Sequence, residues 1–387
     1  MTDTLPNPLH PLHPLHLQAG AEFQAYADLE IVSTFGEPQA EYSAIHKGCG
    51  LLDMPQRGVL ELTGRDRLAF LNNLVTNLTW DKAAKGGLAA GQGVYAYYLN
   101  AKGRVIADMN VLELGDGRTL VEMDGRMVEP VRKMFDKYLF LEQVTMTNRV
   151  GALHEVALLG PGALAVLDAA AEPKLGELAP LGSARVRMFD ADVVVYRDDL
   201  AGVPAYGLLF DSAEARAVWM TLVSRFGEAA ELGKRALRPV GWAAFNATRI
   251  EAGRPLFDVD FGNSADPDKS VLPAETGQFD RAVSVTKGCY LGQEIVARMH
   301  ARQQVAKQLV GLRIEDDSLP MAGAPLFDEG HNQVGVVTSS TVSPVLSNAA
   351  ICLGYVKRPL FAEGSVLQVP AEGGMRRATV VKTPFVM

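Results

Sequence analysis

Apolar and polar positions along the chain fall into two recurring patterns, one of period two and one of helical spacing. Val59-Leu60-Glu61-Leu62 alternates as a half-buried strand does. Thr63-Gly64-Arg65-Asp66 then opens a helix with Leu68, Leu71, Leu74 and Val75 on one face. Two strand-like runs, Val94 to Leu99 and Arg104 to Leu112, flank Asn100-Ala101-Lys102-Gly103 and predict a hairpin. A strand near Thr119 to Met123 leads through Asp124-Gly125 to a helix with Met127, Val131, Met134, Phe135 and Tyr138 in a stripe. Around residue 152 the pattern restarts. Leu62-Thr63-Gly64 to Leu71 and Leu158-Leu159-Gly160 to Leu167 both read L-x-G-x-x-x-L-A-x-L, and each is strand, glycine, helix. Two related α+β halves are therefore expected.

The second half continues with strands at Val193 to Tyr196 and Tyr206 to Phe210, then a helix from Ser212 to Phe226, with Ser212 as its cap and Gly227 as its stop. A further helix spans 239–253. From Gln308 onward short strands alternate with turns, at 309–312, 335–338, 351–356, 366–369 and 378–381, which reads as a small all-β barrel or sandwich. The expected divisions are an arm over 1–16, α+β modules over 17–150 and 151–306, the second of ferredoxin-like form, and a barrel domain over 307–387.

Three places carry candidate chemistry. Period two sets Ile106, Asp108 and Asn110 on one face of the hairpin and brings Tyr95 opposite Asp108 if Leu99 pairs with Arg104. Asp108 is either a site acid or an acid on a solvated sheet face. The long segment 254–278, rich in Pro, Asp and Gly, leads to Lys287-Gly288-Cys289-Tyr290-Leu291-Gly292-Gln293-Glu294. A strand-like run, 282–285, enters that stretch and a helix-compatible run, 294–299, leaves it. Cys289, between two glycines and beside Lys287, is either a reactive thiol on a ligand-accessible turn or a small buried cysteine filling one. Pro8-Leu9-His10, Pro11-Leu12-His13 and Pro14-Leu15-His16 repeat one tripeptide, which suits an extended, flexible arm. Only His46, His154, His300 and His331 then remain for chemistry, in no triad.

Composition narrows the classes. The 387 residues are 48% hydrophobic and 21% charged, as in soluble globular proteins. A net charge of −8 disfavours broad nucleic-acid binding. Three well-separated cysteines, Cys49, Cys289 and Cys352, argue against a disulfide framework and for a reducing, cytoplasmic setting, and their spacing forms no metal-ligand set. Neither a secretory signal nor an apolar run long enough for a membrane span is present.

Lys287 to Glu294 resembles the K-G-C-[FY]-x-G-Q-E signature of the YgfZ-type proteins, a branch of the glycine-cleavage T-protein (aminomethyltransferase) superfamily. Gly50-Leu51-Leu52-Asp53 is similar to the superfamily's G-L-x-D segment, Arg249 to Gly253 to its R-x-E-A-G segment, and Tyr95 to Asp108 to its Y-x-x-L-N-x-x-G-x-x-x-x-D stretch. The resemblance covers about residue 17 to the end. It implies an α+β fold of two related modules and a C-terminal β-barrel around a central tetrahydrofolate site. It also implies folate contacts at Tyr95, Asp108, Arg249, Glu251, Lys287, Tyr290, Gly292, Gln293 and Glu294, with Cys289, Lys287 and Asp108 as the reactive groups. The implied function is tetrahydrofolate-linked support of iron–sulfur cluster assembly or repair in client enzymes such as tRNA methylthiotransferases, with a transient cluster at Cys289. The alternative is aminomethyl transfer or demethylation with a tetrahydrofolate cofactor. Two departures stand out. Ala107-Asp108 replaces the usual pair of acids, and Ala201-Gly202-Val203-Pro204-Ala205 replaces the T-G-E-D-G stretch whose glutamate grips the pterin.

Overall fold

A computed structural model describes residues 10–227, 236–302 and 305–386. The chain divides into two compact units, one of residues 1–72, 79–95 and 109–245, the other of 73–78, 96–108 and 246–387.

Two sheets organise the first unit. One runs in the order Thr145–Asn148, Arg57–Thr63, Arg118–Asp124, Val105–Glu113, Gly93–Leu99, its last two strands each divided between the units. The other runs Ala171–Glu172, Ser183–Met188, Ala191–Arg197, Ala205–Asp211, Leu153–Leu159, Gly50–Asp53, Arg238–Val240. Gly50–Asp53 pairs with Leu153–Leu159, so a strand from before residue 150 lies inside the second sheet and the expected boundary at 150/151 cuts through it. All four residues of that strand are buried, as in an interior strand covered on both faces.

The internal repeat has a physical basis. Gly64 follows the strand Arg57–Thr63 at φ +102°, and Gly160 follows Leu153–Leu159 at φ +115°. A Cβ at Gly64 would lie 2.0 Å from the Gln143 carbonyl oxygen, and one at Gly160 would lie 2.4 Å from that of Ile45. Both positions need a left-handed backbone and no side chain to turn a strand directly into a helix. The helices that follow are Arg67–Asn72 and Ala163–Ala170. The first is shorter than expected, for Leu74 and Val75 have left it. Asp211, not Ser212, caps the next helical segment, because its carboxylate accepts the Ala213 N–H.

The PLH stretch departs most from expectation. Residues 1–9 lie outside the described residues, but His13–Gln18 is a helix with proline in its first turn, where the missing N–H is no loss. Leu12 and His16 are each 0% exposed, Leu12 in the apolar core of the second sheet. From His10 onward the arm is thus a docked element of the first unit.

In the second unit, Lys307–Ile314, Ala349–Lys357, Gln333–Ser343, Pro325–Phe327, Val366–Ala371 and Gly374–Val381 close into a barrel in that order, the last strand pairing with the first. Leu312, Leu326, Val337, Cys352, Val356, Val369 and Val380 fill its interior. Among the described residues no helix is long and apolar enough to cross a membrane.

Candidate functional site

Three segments of the second unit meet at residues 73–78, at the hairpin turn 96–108 and at residues 279–295. Thr76 ties them together. Its N–H donates to the Tyr97 carbonyl at 2.9 Å, and its hydroxyl accepts the Tyr97 N–H at 2.8 Å and donates to the Ala282 carbonyl at 2.7 Å. Asn77 Nδ2 donates to the Arg281 carbonyl at 3.0 Å. These bonds explain why Leu74 and Val75 do not continue the preceding helix: the chain turns out of it there, and Val75 bridges to Tyr98 of the hairpin. Bonds from Asn100 N–H to the Arg104 carbonyl (3.0 Å) and Gly103 N–H to the Asn100 carbonyl (2.9 Å) close the expected four-residue turn.

The strand expected over 282–285 is absent: only Ala282 is in regular structure, and that is helical. Phe279–Ala282 forms one helical turn, and the Ser284 N–H bonds to Thr76 rather than to a ladder. The helix leaving the stretch is Gln293–Arg302. Gly292 stands just before it at φ +81°, and a Cβ there would lie 2.7 Å from the Asn100 carbonyl oxygen and 3.0 Å from Gly103 Cα. Two glycine backbones thus lock the Cys289 loop against the hairpin turn.

Lys287 is turned inward and is 7% exposed. Its Nζ donates to the Val75 carbonyl and, at 2.9 Å, to that of Asn77, and lies 4.9 Å from the centre of the Tyr290 ring. Burial pushes its amine down from the usual 10.5 to about 7. Tyr290 is 8% exposed, and burial lifts its phenol to about 12. Cys289, two residues on, is exposed, whereas Cys49 and Cys352 are buried with thiols pushed up to about 12. Cys289 therefore lies at the surface and is not a small buried cysteine filling a turn. Gln293 is half-buried and Glu294 exposed, both in the first turn of the following helix.

Arg249 and Glu251 are held by protein partners. Arg249 Nη1 donates to Asp260 Oδ2 at 2.6 Å, with both side chains 0% exposed, and Nε donates to Asn246 Oδ1. Asp260 Oδ1 in turn accepts the Thr338 hydroxyl at 2.7 Å and the Ser339 hydroxyl. Glu251 accepts the Ser343 hydroxyl. These two residues therefore bind the helix Trp242–Glu251 to the barrel strand Gln333–Ser343.

Asp108 lies on Val105–Glu113, all nine residues of which are buried, so neither face of that strand is solvated. Asp108 is thus an interior acid and not one on a solvated face. Tyr95, which ends the 79–95 segment of the first unit, is also buried. The sequence reading missed Thr76 and Asn77. A polar pair directly after an apolar helix face was the available signal.

The model for the GCVT N-terminal domain matches residues 12–276, and that for the glycine cleavage T-protein C-terminal barrel domain matches 307–386. The chain belongs to the glycine-cleavage T-protein family. It is 30% identical over 372 residues to a probable aminomethyltransferase of Natronomonas pharaonis, covering 95% of this chain and 96% of that one. An aminomethyltransferase of Thermosynechococcus vestitus is 29% identical, covering 95% and 93%. The crystal structure of the glycine cleavage system aminomethyltransferase T from Bartonella henselae superposes with a TM-score of 0.83 at 25% identity, covering 97% of each chain. The T-protein fold of α+β modules and a closed six-strand barrel is therefore the fold of this chain. The names these relatives carry belong to the aminomethyltransferases and not to the cluster-assembly branch.

Proposed function

We propose that this chain binds tetrahydrofolate and acts on a one-carbon unit as an aminomethyltransferase of the T-protein type. Near-complete coverage of aminomethyltransferases, in sequence and in structure, carries the reading. The residues fit such a ligand by their chemistry: an interior carboxylate at Asp108, a buried amine at Lys287 and the aromatic ring of Tyr290 lie in one unit. Folate, when bound, supplies the nitrogens that carry the one-carbon unit. Asp108 would hold and return a proton for those nitrogens. Lys287, near neutrality in its proton affinity, donates to or accepts from the ligand, and Tyr290 offers its ring face. Free thiols at Cys49, Cys289 and Cys352 suit a reducing cytoplasm.

Cys289 favours a second reading. Among the chain's three cysteines it alone is exposed, and it sits in the stretch that matches the YgfZ-type signature. On that reading the protein binds folate and supports iron–sulfur cluster assembly or repair in client enzymes, with Cys289 contacting the sulfur or the cluster. A cluster held by Cys289 alone lacks ligands, so it would be shared with the partner.

Calorimetric titration with tetrahydrofolate tests both readings, and absence of binding sinks both. Turnover of an aminomethylated carrier protein to methylenetetrahydrofolate, lost in Asp108→Asn, selects the first. Folate binding without turnover, together with loss of client-enzyme activity in cells carrying only Cys289→Ala, selects the second.

A further inference from the structure

We propose that the PLH segment from His10 onward is a proton-operated latch, docked on the second sheet at neutral pH through imidazoles set on Asp53 and released in acid. Asp53 ends the strand Gly50–Asp53 with its side chain 2% exposed. His16 Nε2 lies 2.8 Å from its Oδ2, His154 Nε2 lies 2.8 Å from its Oδ1, and His10 Nδ1 is 3.7 Å from Oδ2. Among the described residues the ion-pair partners of this carboxylate are imidazoles alone, with no lysine or arginine.

Two of those imidazoles come from the PLH repeat and one, His154, from the strand Leu153–Leu159. His13 faces outward, 3.2 Å from Glu30 on the strand Leu29–Thr34. The rings of Phe35 and Trp219 pack on His16 with centroids at 5.5 and 4.6 Å and bring no charge. The charged and titratable groups acting on His10 are thus Asp53, His16, His13 and His154.

The docked segment depends on this site. A six-residue helix is too short to persist alone, so Leu12 in the core and His16 on Asp53 hold it. His10 is 3% exposed and neither ring nitrogen has a hydrogen-bond partner, so a proton there loses its hydration and is stabilised only across 3.7 Å by an Asp53 that already carries two other imidazoles. Burial accordingly pushes His10 down from 6.5 to about 4. The released segment therefore binds one more proton than the docked one between those values. Docking weakens about tenfold per pH unit across that window, roughly 300-fold in all. Below it, protonation of Asp53, held well below the usual carboxylate range by its two imidazole bonds, acts in the same direction.

Hydrogen exchange of residues 12–19, corrected for the intrinsic pH dependence of exchange, tests the latch between pH 7.5 and 4.5. Protection in the full chain falls about tenfold per pH unit below 6.5, while His10→Gln and His10→Asn hold it level until Asp53 titrates. Unchanged protection in the native chain, or the same slope in both variants, overturns the proposal. Should both substitutions undock the segment at pH 7.5, the imidazole resonances of the native chain decide: His10 staying neutral to about pH 4 supports the latch, and ordinary titration near 6.5 while docked refutes it.

Discussion

Replacing Lys287 with methionine separates the electrostatic cost of that buried amine from the shape it fills. Methionine is an unbranched side chain of similar length without the charge. In the folded chain the amine loses its proton near pH 7, and in the unfolded chain near 10.5. Between those values the unfolded state binds more protons, so the native protein gains stability as pH rises, by about 1.4 kcal/mol per unit from this group. Below pH 7 the whole penalty is present, about 5 kcal/mol for a shift of that size. Lys287→Met removes it but strips the Val75 and Asn77 carbonyls of a donor, at about 1 kcal/mol each. The variant is therefore expected to be about 3 kcal/mol more stable than the native chain at pH 6 and about 2 kcal/mol less stable above pH 10.5. Urea unfolding followed by backbone circular dichroism at unit pH steps measures the difference. Every other group titrates alike in the two proteins and cancels. A difference independent of pH between 7 and 10.5 refutes the account of Lys287 as a buried amine of lowered proton affinity.

Three further outcomes follow from the site. Iodoacetamide under native conditions modifies Cys289 alone, since Cys49 and Cys352 are buried with thiols near 12; peptide mass spectrometry showing alkylation of either at a similar rate contradicts this. Gly292→Ala adds a Cβ 2.7 Å from the Asn100 carbonyl at a left-handed backbone position and lowers stability by about 2–3 kcal/mol, against less than 0.5 for Gly288→Ala, whose Cβ would meet nothing within 4 Å; equal melting temperatures reject the glycine lock. Arg249→Met strands the Asp260 carboxylate and destabilises by about 3–5 kcal/mol, part of which Asp260→Asn in the same chain restores, since it removes the charge and keeps an acceptor for the Thr338 and Ser339 hydroxyls; a double variant no better than the single one means the buried charge is not the origin of the loss.

Much of the fold was legible because its signals are local. Gly64 and Gly160 mark strand-to-helix turns that the backbone can make only with glycine, and their matching contexts announced the two sheets. Five of the six barrel strands were readable from short apolar runs. Pro325–Phe327 was not, for three residues carry no period. The PLH stretch misled because proline every third residue reads as an extended arm. Its docking instead depends on Leu12 and His16, one helical turn apart, and on Asp53, 37 residues beyond His16.

The limit of local signals is clearest at Lys287. The eight residues around it identify a turn and leave its cysteine open between an exposed and a buried thiol. Nothing nearby says that the lysine points inward. Its acceptors are the Val75 and Asn77 carbonyls, 212 and 210 residues away, in a stretch whose apolar spacing reads as the end of a helix. Thr76 decides between the two. Its hydroxyl satisfies the Tyr97 N–H and the Ala282 carbonyl at once, which holds 73–78 out of the helix, in the conformation in which the Val75 and Asn77 carbonyls receive the amine. Thr76→Val, keeping the branched shape and losing both bonds, is thus a more searching test of the site than substitution of any residue in the signature. It removes the support under Lys287 without touching it, and the amine should revert towards its ordinary proton affinity.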